Sequence, residues 1–548
     1  MFAVTSRRLM GLMLAVSMLM AVAFAAAADA KKAGEPPKRV LIIVLDQLRP
    51  DYIDTFDMTN VKSLMEDGAS FDNAYLGHMA SETVISHNVI TSGQLPRDMG
   101  WSDEAHRDVD GVLGPKNDMW ISGSWSRTQF NDLIAHAGYP KLADYLHAAY
   151  PGTKFITAGQ KNYAVYSANG PTGDIAVTFS SRNIDCDTDT VVNEWRSPTG
   201  LNVPGYIQSP SCGRFYIDSA TSMSYGTSTT DPAWMYPLDG NRFAPGHDPD
   251  HYGGDIWTAD AGMAMMEHEP WSGMLLTLGS IDKMSHMWGG RTDTGTYTPG
   301  SDEEQAHLRF IAKTADEQVG RIIQKLRDLD QLDETLVVLT TDHAGQPALH
   351  FNGVNQAGRS DNNWYYGATD NGTFNSPSPS LQPLLDTGNV RFSYQDSAVR
   401  TWLTDTSNPA KMEAAKAMAT LPDVIASYRL SANGSRYQLV QANLGAMNSS
   451  ERSWWEAHGQ EIVDTMAAPW ASDVVGLLRD DTSYGVAGDH GGAQKPVQEI
   501  PIVFYGAGVG SGDPRTPLRS VDILPTVLKA MGLPRGATLD GTAVPLPR

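Results

Sequence analysis

Residues 40–52 read VLIIVLDQLRPDY, six apolar residues in a row that run straight into Asp46. A continuous apolar run of that length fits a strand buried on both faces, as in a parallel sheet. The pattern recurs along the chain. Lys154–Ala158 (KFITA) leads to Lys161, Met274–Leu278 (MLLTL) to Asp282, and Thr335–Thr341 (TLVVLTT) to Asp342, while Ile500–Tyr505 (IPIVFY) follows His490 closely. Helical patterns lie between these runs. The clearest spans about 302–328, where Leu308, Ile311, Ala315, Val319, Ile322 and Leu326 form one apolar stripe at helical spacing, and Ser301 with Glu304 makes a capping box at its start. Alternation of this kind predicts an α/β fold: a mostly parallel central sheet sandwiched by helices, with its site outside the carboxyl ends of the strands. The polar residues just named fall at those ends.

Two stretches break the alternation. Residues 165–255 are rich in Ser, Thr, Gly, Pro and Asp, and 344–475 opens on the turn-rich GQPALHFNGVNQAGRSDNNW before a helical piece near 409–419. Long irregular segments in a compact enzyme are often lids or binding loops, so both read as inserted cap segments. The expected organisation is a leader at 1–30, a first core part at 31–343 carrying the loop-rich insertion 165–255, a cap-like insertion at 344–475, and a second core part at 476–548. The leader follows from Arg7 and Arg8 before an apolar run, Leu9–Ala26, and from the small residues around Ala28-Asp29-Ala30. That is the layout of a secretory signal peptide, with an uncleaved anchor as the alternative. The mature chain is therefore expected to be periplasmic or secreted, with no further segment able to cross a membrane.

Composition narrows the functions. The 548 residues hold 41 Lys and Arg against 63 Asp and Glu, a net charge of −22. Such a surface repels nucleic-acid duplexes and anionic lipid, which argues against both as partners. With 41% hydrophobic and 19% charged residues, the chain can build a core and is not a disordered tail. The two cysteines, Cys186 and Cys212, read as a disulfide in an oxidising compartment, and without Cys-x-x-Cys spacing they do not make a thiolate metal site.

Four pieces far apart in sequence carry metal-binding side chains: Asp46, Asp282-Lys-Met-Ser-His286, Asp342-His343 and Asp489-His490-Gly-Gly. Carboxylate and imidazole without sulfur suit zinc in a catalytic site. In Asp282-x-x-x-His286 the two side chains face one way on a helical turn or a tight loop. A nucleophile candidate lies in Ser81-Glu-Thr83-Val-Ile-Ser86-His87, ahead of Thr91-Ser92-Gly93. A Thr hydroxyl is a poor nucleophile until a metal lowers its pKa. Taken alone, Thr83 reads as a helix cap sooner than as a nucleophile, and its standing comes from the neighbouring pattern.

The ordered set resembles the alkaline phosphatase superfamily, and most of all its nucleotide pyrophosphatase/phosphodiesterase branch. The matching elements are LIIVLDQLRPDY around Asp46, T-x-x-S-H at 83–87 before the turn at Gly93, and D-x-x-x-H at 282–286. TTDHAG at 340–345, GDHGG at 488–492 before IPIVFYGAG, and VDILPTVLKAMGLP at 521–534 complete them. The resemblance covers 39–164, 255–345 and 484–540. It implies two Zn2+ ions, one held by Asp282, His286 and His490, the other by Asp46, Asp342 and His343 with Thr83 bound as alkoxide. Thr83 would attack phosphorus in line and give a phospho-threonine intermediate, which water then hydrolyses. The implied substrate is a small phosphorylated molecule.

Departures from the family pattern bear on specificity. Monoesterase relatives place a Lys-x-Arg pair on the phosphoryl oxygens, whereas this chain reads Gly159-Gln-Lys161-Asn-Tyr163. The Lys matches, and Tyr stands where the Arg would be. A monoester dianion carries one more negative charge than a diester, so loss of the Arg fits a diester better, and Tyr163 is expected to stack on an aromatic group of the substrate. An oxyanion-binding Asn, which the family would place shortly after Gly93, is not evident. Asp103 and Glu104 are near that place, and Asn117 is a weak substitute. The expected function is an exported two-zinc phosphodiesterase or pyrophosphatase, with an alkaline phosphomonoesterase and a phosphonate hydrolase as alternatives. A sulfatase of the same fold needs a C/S-x-P-x-R motif, and CDTDT at Cys186 and CGRFY at Cys212 exclude the cysteine type. A binding protein on an inactive fold would lack several of these side chains, and every position is filled.

Overall fold

The computed structural model describes residues 35–179, 195–207, 254–288, 302–346, 350–351, 364–370, 372–485, 488–536 and 539–548. The leader, both cysteines, Ser301 and most of the 165–255 insertion lie outside these residues.

The central sheet has eight strands in the spatial order Ala69–Ser70, Ile502–Gly506, Thr335–Thr340, Arg39–Leu45, Trp271–Leu278, Lys154–Gly159, Ile175–Phe179, Trp195–Arg196. The five from Thr335–Thr340 through Ile175–Phe179 are parallel to one another. Arg39–Leu45 lies at the middle of the sheet, and its side chains alternate between two cores. Leu41, Ile43 and Leu45 pack with Leu308, Ile311, Ala315 and Val319 of the helix Asp302–Asp328. Val40, Ile42 and Val44 pack on the other side with Leu142, Leu146, Leu524 and Val527. The unbroken apolar run is therefore the signature of a strand with helices on both faces. All six residues of the stripe from Leu308 to Leu326 are buried.

Three findings differ from the sequence reading. The run at 500–505 forms Ile502–Gly506, which is antiparallel to Thr335–Thr340. An apolar run marks a strand buried on both faces but carries no sign of its direction. Ile175–Phe179 is a further parallel strand of the central sheet, so 165–179 is core, not insertion. The 344–475 stretch is also more regular than its turn-rich opening suggests. Residues 365–478 build a second, seven-stranded sheet in the order Gly372–Phe374, Tyr365–Thr369, Val390–Gln395, Ala398–Leu403, Val474–Leu478, Val424–Leu430, Tyr437–Ala442, antiparallel at every pairing. The helix Asn408–Met418 packs on one face of it.

A hairpin, Ala105–Asp108 with Asp118–Ile121, packs against the second sheet. Ala105, Met119 and Ile121 share a core with Phe392, Tyr394 and Trp402 of the second sheet. Among the described residues no helix is long and apolar enough to cross a membrane.

Candidate active site

Four parallel strands end at one place and deliver Asp46, Lys161, Asp282 and Asp342 from the turns that follow them. Asp46 comes directly after Leu45, and the next residue, Gln47, is held at φ 62, a left-handed conformation that a non-glycine side chain adopts at some cost. The strain is supported on both sides. Gln47 N–H donates to Asp342 Oδ1 (3.2 Å) and its side-chain amide to the Gly488 carbonyl (2.9 Å). Asp282 and His286 lie one turn apart on the helix Ser280–Trp288, so their side chains share a face. Asp255 holds the start of that helix. Its Oδ1 accepts the Ser280 N–H (3.1 Å) and hydroxyl (2.9 Å), and burial pushes its carboxyl up to about 7.

Thr83 is the first residue of the buried helix Thr83–Ser92, which ends at Gly93 in the left-handed region (φ 64). A helix amino terminus favours anions, so the Thr83 hydroxyl stands where an anionic group is stabilised. Thr83 Oγ receives Lys161 Nζ at 3.1 Å and lies 3.3 Å from His343 Nε2. His87 sits at i+4 and fixes this turn. Its Nδ1–H donates to the Thr83 carbonyl (2.7 Å), and its Nε2 accepts the Thr277 hydroxyl (2.8 Å). Burial lowers its pKa to about 4, so it acts as a neutral ring.

The remaining donors converge from the helix Ser280–Trp288 and from two loops, at His343 and His490. Asp282 Oδ1 is 3.2 Å from His286 Nε2 and 3.5 Å from His490 Nε2. His343 Nε2 lies 3.6 Å from both Asp46 Oδ1 and Asp342 Oδ2, and its ring stacks on His490 at 3.8 Å. The Nδ1 of His343 points at the Ala344 carbonyl (3.2 Å) and that of His490 at the Ser81 carbonyl (2.9 Å). Both rings thus turn Nε2 inward, as a carbonyl on the other ring nitrogen arranges for metal-binding histidines. Burial lowers the pKa of both imidazoles, His490 more strongly, which keeps them in the neutral form that ligates.

Among the described residues, two donor groups close to within 4.8 Å: Asp282, His286 and His490, and Asp46, Asp282 and His343. The first is the trio expected from the sequence. In the second, Asp282 stands where Asp342 is expected. Asp342 lies at the edge, with Oδ1 taken by the backbone amides of Gln47 (3.2 Å) and His343 (3.0 Å). Lys161 Nζ bridges the two groups, 2.6 Å from Asp282 Oδ2 and 2.7 Å from Asp46 Oδ2. Burial works against its charge, yet Asp282 and Asp46 outweigh that and hold the ammonium well above its ordinary pKa. Three buried carboxylates around one ammonium leave an excess of negative charge, and Asp46 Oδ1, Asp282 Oδ1 and Asp342 Oδ2 are buried without a hydrogen bond. Buried charge of this kind needs a counter-ion. Divalent cations on mixed oxygen and nitrogen donors fit it.

Tyr163 is half-buried at the rim, against the cluster of Trp101, Trp125 and Phe130. Asn117 is not part of the site. It is exposed in the turn of the 105–121 hairpin at φ 66, whereas Thr83 is buried.

Several residues that shape the site carry no sequence motif. Arg400, fully buried on the second sheet, pairs with Glu82 (2.7 Å), Asp103 (2.8 Å) and Asp396 (2.6 Å). Glu82 immediately precedes Thr83. Asp396 lies so close to Gly491 that a Cβ there would sit 1.7 Å from its Oδ2, with φ at +81, which explains a glycine next to His490. Trp364 packs against the His286 ring (5.7 Å) and donates to Asp489 (3.3 Å). His87 alone had a readable signal, its i+4 spacing from Thr83.

The sequence and fold have clear relatives. The family model of type I phosphodiesterase/nucleotide pyrophosphatase matches residues 40–365. An alkaline phosphatase, PhoK, from Sphingomonas sp. is 29% identical over 150 residues, 26% of this chain and 27% of the relative. The match therefore spans about a quarter of that protein. Among solved structures, alkaline phosphatase PafA superposes with a TM-score of 0.61 at 15% identity, covering 93% of this chain and 98% of that one. Human ectonucleotide pyrophosphatase/phosphodiesterase 5 gives 0.52 at 10% identity, covering 92% and 97%. At such identities the likeness is one of fold.

Proposed function

The chain belongs to the type I phosphodiesterase/nucleotide pyrophosphatase family of the alkaline phosphatase superfamily, whose members are metal-dependent hydrolases of phosphoric esters, and from that premise we propose that it cleaves phosphodiester or pyrophosphate bonds through a covalent phospho-threonine at Thr83. The observation that carries this reading is the position of the Thr83 hydroxyl, 3.1 Å from Lys161 Nζ and 3.3 Å from His343 Nε2, at the amino end of a buried helix.

Asp282, His286 and His490 would hold one metal, and Asp46, Asp342 and His343 the other, with Thr83 beside it. Oxygen and nitrogen donors without sulfur favour zinc. Two such ions, when bound, lower the pKa of the hydroxyl and stabilise the attacking and leaving oxygens of an in-line displacement.

The protein's own groups do the rest. Thr83 Oγ loses its proton and attacks phosphorus; the bond to the leaving oxygen breaks, and that oxygen departs with a proton from solvent. Water then attacks the phospho-threonine, the phosphorus–Oγ bond breaks, and Thr83 regains its proton. Lys161 meets the charge on the non-bridging oxygens, and His87 keeps Oγ aimed by holding the Thr83 carbonyl. Tyr163 faces the substituent that a diester has and a monoester lacks. Export is part of the same proposal, from the charged and apolar pattern of residues 7–30.

A phosphomonoesterase is the second reading, favoured by Lys161 at the site and by the match to PhoK. The two are separated by kcat/KM of the zinc-loaded protein on bis-p-nitrophenyl phosphate and p-nitrophenyl phosphate in parallel. The proposal expects the diester to be preferred. Preference for the monoester would make the chain a phosphatase.

A further inference from the structure

Glu104 stands beside the nucleophile and no step above uses it. Its backbone N–H donates to Glu82 Oε2 (2.8 Å), so it sits on the residue that precedes Thr83. Its two carboxylate oxygens each receive one phenol, Tyr365 on Oε1 and Tyr394 on Oε2, both at 3.0 Å. The rings of those tyrosines stack at 5.2 Å, which holds the carboxylate in one orientation. The neighbouring acids are balanced: Arg400 takes Glu82, Asp103 and Asp396. That guanidinium pairs directly with three carboxylates and reaches Glu104 only through the longer-range field, while burial raises the Glu104 carboxyl. Unlike Glu82 and Asp103, Glu104 is only half-buried, and so is Tyr163, whose phenol lies within the field of Lys161, Asp282 and Glu104. The site thus holds a buried cation at Lys161 and, nearer solvent, an anion at Glu104 fixed by two phenols.

We propose that Glu104 is a specificity-determining residue that discriminates by phosphate charge, disfavouring the dianion of a monoester relative to the monoanion of a diester. A fixed carboxylate repels each added charge on the phosphoryl group, and in a partly desolvated cleft one unit charge within several ångströms changes affinity by about tenfold or more. The inference rests on the placement of the phosphoryl group at Thr83, and it adds that the missing cation at position 163 is only half of the discrimination.

The test is the ratio of kcat/KM for bis-p-nitrophenyl phosphate to that for p-nitrophenyl phosphate, measured on the full zinc-loaded chain at alkaline pH, where the carboxyl is ionised. Glu104→Gln, which keeps the shape and an acceptor for one phenol, is expected to lower the ratio by about tenfold, mainly through faster monoester turnover. Glu104→Asn serves as a second variant should the first fold poorly, with the same expectation. A ratio within twofold of wild type in the folded variant overturns the proposal. Its failure is distinct from failure of the Thr83 reading, which shows as residual turnover in Thr83→Ala. A wild-type preference for the monoester would overturn the diesterase reading while leaving the shift in ratio, and so the role of Glu104, still decided by the variants.

Discussion

At the scale of single residues, Lys161 bears most on chemistry. Its ammonium is buried, within 2.7 Å of Asp46 and Asp282 and at 3.1 Å from the Thr83 hydroxyl. Removing it takes away the ammonium that bridges both donor groups. Lys161→Ala is therefore expected to lower kcat/KM by about 10²-fold or more, in line with the loss of a charged donor at a transition state. An unchanged kcat/KM in steady-state assays would return Lys161 to a structural role. Residues of this kind are legible because a charged side chain straight after an apolar strand announces itself. Arg400 is not. A lone Arg on a strand of a turn-rich stretch looks like any solvated cation, and only the fold brings Glu82, Asp103 and Asp396 around it.

Elements set the aim of these side chains. The helix Ser280–Trp288 carries Asp282 and His286, and its first amide is capped by Asp255 from a different helix, Asp255–His268. Burial raises the Asp255 carboxyl to about 7, while hydrogen bonds from Ser280 oppose the shift. The unfolded carboxyl titrates near pH ~3.9. Between those values the native state holds a proton that the unfolded chain has lost, so the contribution of this group to stability falls as pH rises from about 4 to about 7. Asp255→Asn keeps an acceptor for the cap and cannot ionise. Its Tm is expected to exceed that of wild type above pH ~7, with the gap closing below pH ~4. A gap independent of pH in melting curves would show that Asp255 does not titrate in this way. No sequence pattern reveals such a cap, because the capping residue lies 25 positions from the amide that it serves.

Across the whole molecule, the parallel core is legible and the second sheet is not, for a physical reason. Strands buried on both faces need continuous apolar residues, and those runs stand out at 40–45, 274–278 and 335–340. Strands with one face half-exposed, such as Tyr437–Ala442, alternate in burial and merge into the surrounding polar sequence. Direction is equally silent, as the antiparallel Ile502–Gly506 shows. The site was readable in outline since its donors carry their own chemistry. Asp342 at the edge of its group and Asp282 between both could be seen only once the strands had converged. That convergence makes Thr83 the point on which the account turns, so the decisive measurement is turnover of bis-p-nitrophenyl phosphate by Thr83→Ala loaded with two metals per chain. The account predicts a loss of more than about 10³-fold, as when a covalent nucleophile is removed. Turnover within tenfold of wild type would contradict it.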